Sequence, residues 1–426
     1  MNRLVIWFAL ALAFPDQLAH AQNGAGSLDL RFVPAVPDVA PRLVALQKSG
    51  KIVIAGEFTR VNDTRRFRLA QLKSDGSLDE NFDPGEGAND PINALALQRE
   101  GKVLIGGSFT GVNGVPRAGL ARLNADGSVD TSFQPGTPPA RNVYALVVQP
   151  DGRILVAGRY ADLDGADHLS VARLNPDGSL DASFGNGSGI STNGSVAILT
   201  LQPDGKILLG GVFSRVNGST SVNGTPVFVL VRVDSSGTLD SSFAPSVARD
   251  PVSAAYLPDG KVLYERVIVG IVPPVFFALS RLNLDGSQDS SYGGGAEEIN
   301  PVLVLDSMRS VIVQPDGKVL LGGGRRESDD RGGIIDKVVR LDADGKLDPS
   351  FTPAQLASPR DATLQSDGKL IVVGDFAHVN GVARPGIARL NNDAGGASSF
   401  FTGAVPVGGG FDYLAFIDLQ ESKMTR

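Results

Sequence analysis

The chain has 426 residues, 42% of them hydrophobic, enough to fill a substantial core and too many for a wholly disordered protein. A formal charge of −7 excludes a general binder of nucleic acid or anionic membranes, which needs a basic surface. Cysteine is absent, which excludes disulfides, thiolate nucleophiles and Cys-based zinc sites; three histidines (His20, His168 and His378) are too few for a His-rich metal centre.

The first 21 residues have the pattern of a secretory signal peptide. Arg3 supplies the positive end, residues 4–14 an apolar run of eleven, and Ala19-His20-Ala21 a small-residue cleavage site. Eleven residues fall short of the ~20 needed to span a bilayer. The expected mature protein, residues 22–426, is exported, with periplasm, medium and cell surface all open. Its charge stays at −7, since the leader removes one Arg and one Asp.

Beyond the leader a single pattern recurs. It is clearest in residues 94–133, ALALQREGKVLIGGSFTGVNGVPRAGLARLNADGSVDTSF. Seven units are indexed by a Gly-Lys or Gly-Arg pair, at Gly50, Gly101, Gly152, Gly205, Gly260, Gly317 and Gly368, spaced 51, 51, 53, 55, 57 and 51 residues apart. A period near 50 suits a propeller blade better than most helical repeats.

Each unit reads as four strands. Strand a (residues 95–98, 144–149, 199–202) ends at a P-D-G or equivalent turn. Strand b (51–56, 102–107, 206–211, 369–374) is a short apolar run closed by glycine, as expected for a strand buried on both faces. Strand c carries L-A-R-L, as in Leu120–Leu123 and Ile387–Leu390, and strand d is the G-S-L-D-x-S-F segment. Asp-Gly turns join a to b and c to d, because their central residues tolerate positive φ. In an antiparallel meander these uniform turns share one edge. The b–c and d–a connections share the other and vary in length: 215–226 in unit 4, RRESDDR at 325–331 in unit 6, and the linkers 83–90 and 134–141. Variable loops on a uniform scaffold are the usual place for function.

Ring closure is also expected. Unit 7 ends in DAGGASSFF (393–401), where the strand-d aspartate is lost, whereas residues 26–32, GSLDLRF, are an intact strand d with Asp29 in place. This N-terminal strand is expected to complete the last blade and leave no exposed sheet edge. The expected architecture is therefore all-β: a seven-bladed β-propeller of four-stranded antiparallel blades over 22–402. A tail at 403–426 holds one strand-like piece, 413–420.

Units of the form Q-P-D-G-K-I-L-x-G-G-x-F-x-x-V-N-G…L-A-R-L-N-x-D-G-S-L-D-x-S-F resemble the delta-60 repeats of exported bacterial proteins. The resemblance covers residue 26 to about residue 401, with close matches at 202–211, 216–218, 174–179 and 127–133. It implies a β-propeller fold and an exported address, and little about mechanism. Units 5 and 6 depart from it: 265–272 lacks the glycine pair and 324–329 the aromatic residue. The glycine pairs also resemble kelch repeats, whose tryptophan is missing here; Trp7 is the only one in the chain.

Two charged positions recur. Strand c carries Arg122, Arg173, Arg232, Arg281, Arg340 and Arg389, with Gln71 in unit 1; strand d carries Asp29, Asp79, Asp130, Asp181, Asp240, Asp289 and Asp348. Position-for-position recurrence favours a structural Arg–Asp strut over a ring of ligand contacts, because an active site needs asymmetry. The N/D-x-D-G-x-x-D segments, such as 124–130 and 342–348, offer oxygen ligands suited to calcium, but the complete loop with its terminal glutamate is missing and Asx-type turns explain them without metal. No cofactor is expected, and calcium is the one ion those loops suit. No catalytic constellation or phosphate-binding glycine loop stands out; His168 and His378 read as surface side chains. The reading favoured is an exported propeller that binds a ligand, carbohydrate or protein, on its variable face. The alternatives are a polysaccharide hydrolase or lyase with carboxylates at the axis, and a structural component of envelope or matrix.

Overall fold

The computed structural model describes residues 24–135, 140–160, 168–185, 189–192, 194–213, 215–217, 219–220, 227–245, 251–269, 275–294, 304–305, 307–326 and 334–392. The expected signal peptide, the 393–401 segment and the tail expected to hold a strand-like piece lie outside the described residues. Those described form an all-β, propeller-like fold of antiparallel sheets, with helix confined to short 3-10 turns. None of their helices is long and apolar enough to cross a membrane.

Each unit contributes one a–b–c sheet. Strand a is Pro41–Leu46, Ile92–Leu97, Ala140–Val148, Ser195–Leu201, Pro251–Tyr256, Ser307–Val313 and Pro359–Leu364 in units 1 to 7. Strand b is the fully buried middle strand, as in Ile52–Gly56, Val103–Gly107 and Leu370–Gly374. Strand a forms one edge of each sheet and lies against strand a of the next unit, and that of unit 7 against that of unit 1. The a strands are therefore innermost. Between units, b of one sheet packs on a of the next, which places the apolar core between sheets, for example Val53, Leu69, Ile92, Val103 and Leu123. Glycine on strand b makes room for this: a Cβ on Gly106 would stand 2.4 Å from Val143 of the following unit.

Strand d departs from expectation. The G-S-L-D-x-S-F segments do not form a full fourth strand; each enters the sheet through a single residue, as in Leu72↔Leu78 and Leu123↔Val129, and then turns. The Asp-x-Ser-Phe sequence diverts the chain, because the aspartate bonds the amide two residues on, as Asp130 Oδ1 does to Ser132 N (3.0 Å). Where the fourth position does hold a strand, the departing linker supplies it. Ile190–Thr192, Val304–Leu305 and Ala354–Gln355 pair with strand c of units 3, 5 and 6.

The N-terminal segment is bonded to unit 7 in the position that strand d occupies elsewhere. Leu28 bridges Leu390 as Leu78 bridges Leu72, and Asp29 N donates to Arg389 O (2.8 Å) as Asp79 N does to Gln71 O (2.9 Å). Gly26 N donates to Asn391 O (2.7 Å), the bond that closes the c–d turn in other units. A protein lacking residues 22–34 is therefore expected to melt well below the mature chain, by ten degrees or more, since Phe32 and the Asp29 ion pairs leave together; each lost kcal/mol is worth about 2–4 °C in a protein of 150–250 residues. An unchanged midpoint by calorimetry would contradict this placement.

Candidate functional site

The recurring charges sit at the outer end of strands b and c, on the edge with uniform turns. Arg122 Nε meets Asp130 Oδ2 at 2.8 Å, Lys102 Nζ meets the same oxygen at 2.8 Å, and the guanidinium lies 4.5 Å from the Phe133 ring centroid. The group repeats as Arg173–Asp181, Arg232–Asp240, Arg281–Asp289, Arg340–Asp348 and Arg389–Asp29, at 2.7–2.9 Å. Both partners are buried in most units, where an unpaired charge would be costly. The lysine or arginine of the indexing Gly-Lys pair is the third member throughout, from Lys51–Asp79 at 2.8 Å to Lys369–Asp29 at 2.8 Å. Its role was not evident in the sequence, where it served only to mark a turn.

Each strand-c arginine also reaches the next unit. Arg173 Nη1 donates to Ser235 O, Arg232 Nη1 to Leu284 O (3.0 Å), Arg281 Nη1 to Ala343 O (2.7 Å), Arg389 Nη1 to Ser74 O (3.0 Å) and Arg340 Nη1 to Asn392 Oδ1. These acceptors all lie in c–d turns. After the strand-d aromatic of units 1 to 6 the next residue adds a backbone bond to the following turn region, such as Asp83 N to Asp126 O (2.7 Å). That approach explains the repeated Asp-Gly: Gly127 has φ +90°, and a Cβ there would stand 2.6 Å from the Asp83 backbone. Burial alone would raise the Asp181 pKa, but bonds from Ser183 and Arg173 outweigh it and bring it down to about 2. Asp130, Asp240, Asp289 and Asp348 are likewise held well below the usual carboxylate range. These aspartates are anionic struts with their lone pairs committed.

The turn carboxylates considered for calcium are committed to their own turns. Asp126 Oδ1 accepts from Ser128 N (2.9 Å) and Oγ (2.6 Å), and Asp177 and Asp285 do the same with Ser179 and Ser287. Among the described residues no three His, Asp or Glu are grouped to hold a metal. His168 begins strand c of unit 3 (His168–Leu174), opposite Thr192, and His378 is exposed in the b–c hairpin of unit 7.

The opposite edge is built differently. In units 1, 2, 4 and 7 the V-N-G or V-N-D turn puts asparagine at positive φ: Asn62 +51°, Asn113 +46°, Asn217 +48° and Asn380 +49°. Each such Asn clasps the linker entering its own unit, with N donating to Val36 O, Gly87 O, Ser191 O and Gln355 O at 2.6–2.9 Å and Oδ1 accepting a linker amide. Part of the variable face is thus tied down by a repeated side chain. Units 3, 5 and 6 lack that motif, and units 5 and 6 extend b and c into longer arms, reaching Val262–Val269 with Val275–Leu282 and Val319–Arg326 with Ile334–Leu341.

A further feature encircles the axis on this face. Strand a carries a register shift at one equivalent position in all seven units, between Pro41 and Leu43, Ile92 and Ala94, Val143 and Ala145, Val196 and Ile198, Pro251 and Ser253, Met308 and Ser310, and Pro359 and Asp361. The first residue of strand a enters from the d–a linker, so every bulge lies at that edge. The bulge residues are Arg42, Asn93, Tyr144, Ala197, Val252, Arg309 and Arg360. Bulges leave a residue unpaired and re-aim it. They also account for the late start of strand a expected from sequence: the alternation is broken at the bulge, and the ladder begins three or four residues earlier. Among the residues that follow the bulges, Asp361 stands out. It is buried, its Oδ2 accepts from Val44 N of unit 1 (2.9 Å), and burial pushes its pKa up to about 7 despite the bonds from Val44 and Ala362. In unit 5 the same layer holds Glu265, fully buried against Ser253 Oγ (2.9 Å), its pKa pushed up to about 8 by burial.

Two outcomes are expected. Gln71, the one strand-c position without arginine, has a buried amide with no partner among the described residues. Gln71→Arg would meet Asp79, Phe82 and the Ala125 carbonyl, and should raise stability by about 1–2 kcal/mol, read as a midpoint a few degrees higher; a fall would mean the site cannot admit the guanidinium. Glu265 holds its proton more tightly folded than unfolded, so its contribution is present below its unfolded pKa of about 4.5 and lost as pH rises through about 8. The melting midpoint of the wild type should therefore fall relative to Glu265→Gln between pH 5 and 8; a pH-independent difference would show that Glu265 is ionised when folded.

Comparison with known proteins adds a family and a fold. A search of curated proteins finds no match. Among solved structures the chain is similar to PorZ, described as an essential surface component of the type-IX secretion system of Porphyromonas gingivalis, at 14% identity and a TM-score of 0.50, over 86% of this chain and 48% of PorZ. The chain thus spans about half the length of PorZ, and the likeness is one of fold. A gluconolactonase of Xanthomonas campestris aligns at 16% identity over 72% of this chain and 89% of that one, with a TM-score of 0.40. A family model matches residues 47–82, 98–133, 149–184, 202–243, 314–351 and 365–393, and the chain belongs to that family, the domain of unknown function (DUF5122) beta-propeller.

Proposed function

We propose that the protein is an exported, seven-bladed propeller of the delta-60 type, closed by its N-terminal segment, and that it binds a ligand on the face carrying the b–c and d–a loops. The contrast between its two edges carries this reading. On one edge six units repeat the same Arg–Asp strut with its lone pairs committed, and unit 1 keeps the aspartate with its lysine. On the other, seven bulge positions at equivalent places carry Arg, Asn, Tyr, Ala, Val, Arg and Arg. Repeated side chains build a scaffold, and a site that recognises one ligand needs an asymmetric set. The expected leader supports export. Closure is supported by the bonds of Gly26 and Asp29 to unit 7.

The arms of units 5 and 6 belong to this binding face. Replacing 267–278 and 324–337 with the unit 2 sequence 108–119 substitutes clasped turns for both arms. The chimera is expected to keep the melting midpoint within a few degrees and to lose binding in an oligosaccharide array on which the wild type gives signal. Retained binding by the folded chimera would remove the arms from the site.

A further inference from the structure

We infer that an exposed apolar stripe on the N-terminal segment is a docking surface, and that its occupant is residues 413–420 of the chain's own tail. Eight large apolar side chains are exposed among the described residues, and four of them, Leu30, Val33, Val36 and Val39, fall within ten residues of sequence. Between these four, Phe32, Pro34, Ala35 and Pro37 are buried. The segment therefore lies along the body of the protein and turns the four outward. It is tied there by Ala35 N to Gly76 O (2.8 Å) and Val36 N to Asn62 Oδ1 (2.8 Å).

The stripe is not a property of the repeat. The linker that leaves unit 1 makes the same bonds. Glu86 N donates to Asn113 Oδ1 as Val36 N does to Asn62 Oδ1, and Asn89 Oδ1 accepts from Thr110 N as Asp38 Oδ1 does from Thr59 N. Matched through these bonds, the outward positions of that linker are Glu80, Asp83, Glu86 and Asp90, all exposed. Four acidic side chains stand where the N-terminal segment has four apolar ones. A run of apolar side chains on an outer surface marks a contact.

The place where the chain leaves unit 7 selects the occupant. Asn391 N donates to Ser27 O (2.7 Å) and its Nδ2 to Ser27 Oγ (3.0 Å), so the chain departs beside Ser27, three residues before Leu30. In units 1 to 6 the residues after strand c turn back into the strand-d position. Here Leu28 and Asp29 already hold it, bonded to Leu390 and Arg389. The chain beyond Asn392 is thereby left on the outer side of the N-terminal segment, where the stripe is displayed. The 21 residues from Asn392 to Tyr413 reach up to about 70 Å, against the ~30 Å that residues 30–39 can cover. Residues 413–420, YLAFIDLQ, have six apolar side chains in eight, and Asp418 is opposite in sign to the exposed Arg31 beside the stripe. The covalent link holds them at an effective concentration of roughly millimolar, an advantage that a second copy or a separate partner lacks.

The chain has no cysteine, so an introduced pair reports without background. The test oxidises the mature protein carrying Val33→Cys with either Leu414→Cys or Phe416→Cys. Glu80→Cys with the same tail cysteines is the control, an exposed position on the neighbouring linker. The Val33 pairs are expected to form a bridge within one chain at least tenfold faster than the Glu80 pairs. Equal rates would show a tail that collides without docking, and would overturn the proposal. Bridging mainly between two chains, also seen with Val33→Cys alone, would give the stripe to a second copy and overturn the tail as its occupant. A second measurement needs no cysteine. Amide exchange of residues 413–420 is expected to be slowed at least tenfold in the unaltered mature protein. That protection should be lost in Leu30→Glu with Val36→Glu, which installs the acidic residues of the unit 1 linker, while strand b of unit 2 (Val103–Gly107) stays protected. Absent protection, or protection indifferent to these substitutions, would overturn the docking.

Discussion

A guanidinium buried at the outer end of strand c is the constraint on which the stacking of the units depends. Removed from water, such a charge is tolerated only if every donor finds an acceptor. The chain meets this demand from three directions: Nε takes an aspartate eight residues on, the face of the group lies on the aromatic three residues further, and Nη1 takes a carbonyl of the next unit. The first two fix the c–d turn of one unit; the third fixes where the next unit must stand. Such a pair adds little net stability over an apolar substitute, because desolvation offsets most of the attraction. Its effect is geometric. It sets a spacing from one sheet to the next that apolar packing alone, being non-directional, does not define.

The same geometry separates two kinds of surface. The edge with the struts has little freedom to diverge, since its turns serve as acceptors for the preceding unit and its glycines are crowded by that unit's backbone. The other edge is released from this demand. In four units it is restrained by an asparagine clasp, and in two it extends into arms. The bulges of strand a sit at the junction of these regimes. They are fixed in place by the repeat and free in identity, which is the combination a recognition site requires. PorZ shares the fold at 14% identity, so the likeness fixes the shape and leaves the site to be argued from these residues.

The chain made much of the scaffold legible and little of the site. Runs such as Ile52–Gly56 announce a buried strand because a strand packed on both faces leaves no polar position. The Arg122–Asp130 spacing is visible because a tight turn brings residues eight apart to opposite strands. The reach of Arg281 to Ala343 is not visible, since it crosses 62 residues and depends on how sheets stack. Nor is the clasp: V-N-G reads as a turn, and only the positive φ of Asn113 shows that its side chain faces a linker. The bulges were hidden for a stricter reason. Arg42 and Arg360 look like ordinary members of an alternating strand, and a register shift leaves no compositional mark. Strand d misled in the opposite sense, because Leu-Asp-x-Ser-Phe has strand-like alternation while its aspartate turns the chain after one bridge.

The most direct measurement is native-state hydrogen exchange of the mature protein, resolved to the strand-d amides. If the N-terminal segment is the last member of a ring held by these struts, Asp29 N–H should exchange as slowly as Asp130 and Asp289 N–H, all through the same global opening. Exchange of Asp29 orders of magnitude faster than its counterparts would show that unit 7 is left open, and would contradict a closed ring.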